Sequence, residues 1–204
     1  TSQEHRPSNL LLTLPSHVWR HILTFCGYKD YTLAGWTCQY LKRLWTEAVE
    51  KNRLPLFVPV DCNTLEEAVG RVHENDRLTT IVVGKGEHQI DGDYLKIASA
   101  MNIVGDSGVP KIEIVVVGGI SFNPGIQGSC HLQHLTLCQA KGCGVHGQSS
   151  FTMEDVVVEQ CGYGVYAYGV VSRCTNVEVR QCEYSGVVAY SGASITLIGA
   201  KTTV

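Results

Sequence analysis

The sequence has no uninterrupted apolar run of the length that a membrane-crossing helix needs, about 20 residues. Net charge is also nearly absent, because 16 Lys and Arg stand against 19 Asp and Glu, a formal charge of −3. A general nucleic-acid binder carries a clear basic excess, which this composition lacks. The opening residues, TSQEHRPSN, do not follow the basic-then-apolar order of a secretory signal. We therefore expect neither a membrane nor a nucleic acid as a partner.

The nine cysteines lack the paired C-x-x-C spacing of a zinc ribbon, and their odd number cannot complete a disulfide framework. The chain also has no N-x-[ST] acceptor for N-glycosylation. Both observations favour a reduced intracellular compartment, the cytoplasm or the nucleus. In that setting free cysteines act as small core hydrophobes.

What the chain does contain changes character along its length. Residues 1–55 have the apolar spacing of helices, first at Val18, Ile22 and Phe25 and again over residues 32–50. The segment that follows, PLFVP, is bracketed by prolines and predicts an extended linker. We predict a small helical module over residues 1–55 and a second domain over residues 56–204.

The second domain begins with one more helix, predicted over residues 64–75. Thr64 and Glu67 have capping-box spacing, and an apolar stripe follows them. Beyond this helix the sequence changes to short β-rich runs separated by glycines. The members of the apolar stripe are Leu65, Ala68, Val69 and Val72.

A 21-residue repeat organises the chain from about residue 130. A fixed period of this kind indicates a solenoid. A leucine-rich repeat is one alternative, since residues 132–137 fit L-x-x-L-x-L, but the rest of each unit is rich in Gly, Val and Tyr rather than helix formers. The units resemble those of a right-handed parallel β-helix, the pectin-lyase-like fold. The series are Leu132/Met153/Cys174/Ile195, Leu135/Val156/Val177/Ile198, Leu137/Val158/Val179, Ala140/Cys161/Cys182 and Gln139/Gln160/Gln181.

Stacked coils place residues 21 apart directly above one another, at about 4.8 Å. The aliphatic series then point into the core, the glutamines form a hydrogen-bonded amide ladder, and Cys161 packs over Cys182. We also predict the aromatic stacks Tyr163/Tyr184 and Tyr168/Tyr190. On the solvated outer face, where Val157 also points, Glu159 should pair with Arg180. The helix at 64–75 should cap one end of the tube, and we expect further chain or a partner beyond Val204 to cover the other.

The stretch from Leu14 to Trp45, LPSHVWRHILTFCGYKDYTLAGWTCQYLKRLW, resembles an F-box. It opens on Leu-Pro, continues with an apolar helix pattern, and ends with a Cys and a large aromatic after a leucine helix. Tyr28 and Lys29 depart from the pattern, which usually has an aliphatic residue there. The resemblance implies docking to the Skp-type adaptor of a cullin–RING ubiquitin ligase through an apolar helix face. The residues it assigns to that contact are Leu14, Pro15, Val18, Trp19, Ile22 and Phe25.

No constellation of catalytic residues emerges from the sequence. Asp91 and Asp93 flank a turn-forming glycine, and His131 and His134 face opposite sides of a strand, so neither pair predicts a metal site. Cys38 and Cys143 have no identifiable base beside them. We predict no catalytic residue, no metal and no cofactor.

The fold prediction is therefore mainly β, a right-handed parallel β-helix solenoid with a small N-terminal F-box-like helical module. The predicted function is a non-enzymatic adaptor whose β-helix recognises an unknown protein partner or substrate. The alternatives are a carbohydrate-active β-helix enzyme, such as a polysaccharide lyase or epimerase, a lectin-like fragment, and a structural scaffold subunit of a large assembly.

Overall fold

The computed structural model describes residues 55–75 and 78–204. Over these ranges the chain is mainly β, a parallel β-solenoid of about six turns with one α-helix near its start. The helices are α1 (Leu65–Glu74) and a short 3-10 helix, η1 (Lys111–Glu113). The strands are β1 (Leu56–Val58), β2 (Thr80–Val83), β3 (Gly86–Ile97), β4 (Asn102–Gly105), β5 (Ile114–Phe122), β6 (Cys130–Gln133), β7 (Thr136–Cys138), β8 (Cys143–Gly147), β9 (Phe151–Glu154), β10 (Val157–Glu159), β11 (Tyr163–Tyr168), β12 (Val171–Thr175), β13 (Glu178–Arg180), β14 (Ser185–Tyr190) and β15 (Ser194–Ile198).

The strands form three walls, because each coil contributes one strand to each wall. Wall one has the order β1-β2-β4-β6-β9-β12-β15, entirely parallel. The long strands β3 and β5 turn a corner and serve two walls. Their first halves lead into β7, β10 and β13 of wall two, and their second halves into β8, β11 and β14 of wall three.

The predicted 21-residue register holds through walls one and two of the central coils. Leu132 pairs with Met153, which pairs with Cys174, and on wall two Leu137, Val158 and Val179 lie in one column. Side chains of these columns are buried between the walls, where each stabilises the fold by about 1.5–3 kcal/mol before entropy. Within residues 114–204 the structure contains no α-helix, which excludes the leucine-rich alternative.

Helix α1 begins where the sequence predicts. The Thr64 Oγ1 accepts a hydrogen bond from the Glu67 N–H at 3.2 Å, and the Glu67 carboxylate accepts one from the Asn63 N–H at 2.8 Å. The helix packs its apolar stripe against β1, β2 and β3, the strands of the first coils. It therefore covers that end of the solenoid core, as predicted.

The predicted register fails in the last coil. Ser172 pairs with Ile195, 23 residues further on, and Cys174 pairs with Leu197. Ile198 likewise pairs with Thr175 and not with the coil position of Val177. The coil before β15 is longer than its predecessors, because a turn at Ser191 and Gly192, both at positive φ, adds residues between walls three and one.

Two further expectations are corrected on wall two. Val157 is 1% exposed, although the sequence predicts it on a solvated face. Residues 111–113, read as part of a strand, form η1 instead. The Lys111 carbonyl accepts a hydrogen bond from Thr136, while the Lys111 Nζ reaches Glu178 two strands away. The alkyl stem of Lys111 therefore crosses Val157, which lies between those two partners in the register, and shields it.

Candidate functional site: an aromatic wall beside a glutamine groove

The outer surface of wall three carries a continuous group of tyrosines, which we call the tyrosine wall: Tyr163, Tyr166, Tyr168, Tyr184 and Tyr190. Both predicted stacks form, with ring centroids 5.0 Å apart for Tyr163/Tyr184 and 5.7 Å for Tyr168/Tyr190. Tyr166 joins the two, at 6.0 Å from Tyr163 and 6.5 Å from Tyr190. These spacings fall in the range of favourable aromatic pairs.

Part of the tyrosine wall is strongly exposed to solvent. Tyr184 is 63% exposed, Tyr190 58% and Tyr168 45%, although the three lie next to one another on the last two coils. Single exposed apolar side chains are ordinary, but adjoining aromatic side chains mark interaction surfaces. The parallel ladder beneath fixes their spacing, so a ligand would meet a rigid set of rings.

Two aromatic side chains continue the row onto earlier coils. His146 lies 5.6 Å from Tyr166 and 6.2 Å from Tyr94, ring centroid to ring centroid. Burial lowers the pKa of His146, so its ring is neutral at pH 7. Tyr94 lies over Gly119 and Gly142, where a Cβ would overlap its ring or hydroxyl. The upper end of the row is therefore uncharged and close-packed, and its exposed end lies at the later coils.

A groove follows the corner between walls two and three, and we call it the glutamine groove. Gln139, Gln160 and Gln181 lie at this corner in successive coils, each with φ between 54° and 57°. This left-handed backbone turns the chain from one wall to the next and leaves all three side chains exposed. The groove has a volume of about 370 Å³ and is lined by Gln139, Ala140, Lys141, Gln160, Cys161, Gly162, Gln181 and Glu183.

The amide ladder predicted from the sequence forms between the second and third glutamines. Gln160 Nε2 donates to Gln181 Oε1 at 3.3 Å. Among the described residues, Gln181 Nε2 and the Gln139 carboxamide have no hydrogen-bond partner. Tyr163 and Tyr184 follow the groove residues directly in the chain, so the groove and the tyrosine wall form one surface with amides on one side and rings on the other.

A second polar cluster lies at the corner between walls one and two, and the sequence reasoning missed it. Lys111 Nζ lies 2.8 Å from the Asp155 carboxylate and 3.4 Å from that of Glu178. His134 Nδ1 lies 2.8 Å from the other Asp155 oxygen. A signal was present, since His134, Asp155 and Asn176 are 21 residues apart and all have positive φ, which Asn, Asp and His tolerate best.

This charged corner is satisfied internally. His134 Nε2 lies 2.9 Å from the Val109 carbonyl, so both ring nitrogens are engaged. Burial alone would raise the pKa of Asp155, but hydrogen bonds from Lys111 and His134 outweigh it and hold that pKa below its ordinary value. A general base needs a free lone pair facing a substrate, and a ring engaged on both nitrogens offers none. The cluster joins η1 to the coils rather than forming a catalytic centre.

The predicted pair on wall two also forms, with Arg180 Nε 2.8 Å from the Glu159 carboxylate. That hydrogen bond raises the pKa of Arg180. Its position on the outer face of adjacent coils is that of an ordinary surface ion pair, which stabilises little.

The thiols of the solenoid are held protonated. The seven described cysteines are free, and all but Cys182 are buried. Burial raises the pKa of Cys161 and of Cys174 to about 11, and burial also raises that of Cys143. A thiolate is the reactive form, so none of these three is activated as a nucleophile.

Within residues 55–75 and 78–204, no group of three or more His, Cys, Asp or Glu side chains could hold a metal ion. His131 Nδ1 lies 2.7 Å from Thr152 Oγ1, while His134 belongs to the charged corner. Asp91 and Asp93 are both exposed on β3. No helix in the described part of the chain has the length and apolar character of a membrane span.

The residues that the F-box resemblance assigns to adaptor binding lie outside the described residues, as does Cys38. They are Leu14, Pro15, Val18, Trp19, Ile22 and Phe25. The chain matches no protein-family model, no curated protein and no solved structure.

Proposed function

We propose that this protein is a non-enzymatic recognition adaptor. Its β-solenoid presents the tyrosine wall and the glutamine groove to a protein partner, and its N-terminal segment docks the Skp-type adaptor of a cullin–RING ubiquitin ligase. The observation that carries the proposal is the contiguous exposure of Tyr168, Tyr184 and Tyr190 on a rigid ladder. Tyrosine supplies a large contact area at a low cost in conformational entropy, and it is enriched in binding surfaces for that reason.

The chirality of the solenoid belongs to the same proposal. Crossovers between parallel strands of one sheet are right-handed in the great majority of proteins. We infer that these coils wind the same way, in the manner of a right-handed, pectin-lyase-like β-helix.

The chemistry of the described charged groups favours binding over catalysis. A polysaccharide lyase or epimerase needs carboxylates free to hold a cation or move a proton. Here the Asp155 carboxylate is held by Lys111 and His134, and Glu159 is held by Arg180. Of the alternatives, a lectin-like role is the one that a specific observation favours, because tyrosine rings beside amide groups also suit sugars.

The docking half of the proposal is supported by the F-box resemblance of residues 14–45. Within it, Trp19 and Phe25 are the large apolar side chains best suited to anchor a helix in a partner's groove. They lie six residues apart in a predicted amphipathic helix, among the other assigned apolar positions.

The test is co-purification of the full chain with a Skp-type adaptor, analysed by size-exclusion chromatography. We expect a stable complex that the double variant Trp19→Ala/Phe25→Ala abolishes. The matched control is Lys42→Ala, predicted on an outer helix face, which should leave the complex intact. Absence of a complex, or a complex indifferent to the double variant, contradicts the adaptor role.

A further inference from the structure

We propose that the glutamine groove and the adjoining Tyr163 and Tyr184 bind a proline-rich peptide in the polyproline II conformation, lying parallel to the solenoid axis. The inference deepens the proposed function, on which it rests, because it names the chemical class of the partner. Four properties of the surface carry it: its spacing, its hydrogen-bonding groups, its rings and its charges.

The spacing of the groove matches the period of a polyproline II helix. Gln139 and Gln181 lie two coils apart, and two coils rise about 9.6 Å at the usual distance between neighbouring strands. A polyproline II helix repeats every three residues, or about 9.3 Å. Peptide groups three residues apart would therefore meet equivalent glutamines. An extended β-strand peptide repeats its side-chain direction every 6.6 Å or so, which fits no whole number of coils.

The hydrogen-bonding groups are also complementary. A polyproline II helix makes no internal hydrogen bonds, so its carbonyls need donors from outside, while proline itself offers no N–H. The glutamine carboxamides can supply those donors. Gln160 uses one N–H on Gln181, which leaves its second N–H and both N–H groups of Gln181 directed at other acceptors. The carboxamide of Gln139 is without a partner among the described residues, so it can donate as well.

The rings beside the groove suit the other half of such a ligand. Tyr163 and Tyr184 lie 5.0 Å apart with their planes inclined by 37°, which leaves a ridge of two ring faces along the groove. Proline rings pack on aromatic faces in this way, and the peptide is already ordered before binding, so little conformational entropy is lost. Tyr184 is 63% exposed and free to make that contact.

The charges at the two ends of the groove give the ligand a direction. Lys141 lies on the first of the three coils and Glu183 on the third, and both are exposed lining residues. Opposite charges placed across a binding surface fix the register of a partner more than they add affinity. The preferred peptide has an acidic residue at the end near Lys141 and an Arg or Lys at the end near Glu183.

Fluorescence anisotropy with the full chain tests the proposal. The probe is a fluorescein-labelled peptide of successive Pro-x-x triplets with an acidic residue at one end and Arg at the other, prepared in both chain directions. The control peptide has glycine in place of every proline. We expect the proline peptide to bind in one direction preferentially, and the glycine peptide to bind at least about tenfold more weakly, since it must be ordered on binding.

Variants locate the binding site. Tyr184→Ala and Gln181→Leu each remove an exposed group and should weaken binding by about tenfold. The matched aromatic control is Tyr168→Ala, an exposed tyrosine at the far end of β11, which should bind as the wild-type chain does. Circular dichroism of each variant confirms that the solenoid is folded. Equal losses for Tyr168→Ala and Tyr184→Ala would overturn the assignment to the groove.

Failure of this inference is distinguishable from failure of the proposed function. A folded chain that binds the Skp-type adaptor but no proline peptide at about 1 mM overturns the peptide proposal alone. Binding of neutral oligosaccharides, with loss in Tyr184→Ala and no binding of either peptide, overturns it in favour of the lectin-like alternative. Peptide binding without adaptor binding supports the inference and contradicts the ligase role.

Discussion

The Cys143 N–H donates a hydrogen bond of 2.8 Å to the Tyr94 hydroxyl, although 49 residues separate the two in the chain. The ring that makes this bond lies over Gly119 and Gly142, in space that any Cβ would fill. The contact connects an early coil to the beginning of β8 and holds the upper end of the aromatic row. Its consequences for stability can be measured.

We predict that Tyr94→Phe lowers the free energy of unfolding by about 1–3 kcal/mol, because the buried Cys143 N–H is left without a partner. Gly142→Ala should cost at least as much, since its methyl group would displace the Tyr94 hydroxyl. The double variant Gly142→Ala/Tyr94→Phe should cost less than the sum of the two, because both changes remove the same bond. Urea unfolding of the four proteins measures this coupling, and strict additivity would contradict it.

Two buried serines should respond in opposite ways to the same substitution. Ser172, 2% exposed, has no hydrogen-bond partner for its Oγ, whereas the Ser149 Oγ donates to the Asn123 carbonyl and accepts from the Ile126 N–H. Ser172→Ala should raise the free energy of unfolding by about 1 kcal/mol, and Ser149→Ala should lower it by about 1–3 kcal/mol. Thermal unfolding of both variants tests the prediction, which a destabilised Ser172→Ala protein would contradict.

The charged corner should contribute stability in a pH-dependent way. The folded-state pKa of Asp155 is held below its ordinary value of 3.8, so its stabilising effect is complete above that value and is lost as the pH falls through the folded pKa. Asp155→Asn should therefore lower the free energy of unfolding by about 1 kcal/mol at pH 7, a modest figure because the carboxylate is partly exposed and screened. The difference from the wild-type chain should shrink below about pH 4.

Urea unfolding across pH 3–7 measures this effect. The matched control is Glu154→Gln, since Glu154 is the exposed neighbour of Asp155 and its carboxylate has no ion pair in the described part of the chain. It should change stability little at any pH. A loss for Asp155→Asn that stays constant, or grows, toward low pH would contradict the linkage.

The core thiols should resist alkylation in the native state. Burial raises the pKa of Cys174 to about 11, so at pH 8 this thiol is protonated as well as enclosed. Iodoacetamide treatment followed by peptide mapping should modify the more exposed Cys182 before Cys174, and should reach Cys174 only when denaturant is added. Rapid native labelling of Cys174 would show that the coils open locally.

Much of the central solenoid can be predicted from periodicity alone. The column Leu132/Met153/Cys174 and the ion pair Glu159/Arg180 follow once the 21-residue register is recognised, because a parallel ladder stacks equivalent positions. The start of α1 could be predicted because its cap is local in sequence. Local and periodic signals carry this part of the fold.

The remainder depends on contacts that periodicity does not encode. Ile195 faces Ser172 because one turn is longer than the others, and nothing in the repeat itself fixes the length of a turn. Val157 is buried by Lys111, which is 46 positions away in the sequence and belongs to no repeat. The glutamine groove was visible as a polar series, but its pairing with Tyr163 required the three walls to be placed in space.

The measurement that tests the account most directly is a bridging experiment by surface plasmon resonance. A Skp-type adaptor is immobilised, the full chain is captured on it, and the proline-rich peptide is then injected. The account predicts capture of the chain, a peptide signal only after capture, and loss of that signal with retained capture in Tyr184→Ala. A chain that the adaptor does not retain, or a peptide signal unchanged in Tyr184→Ala, would contradict it.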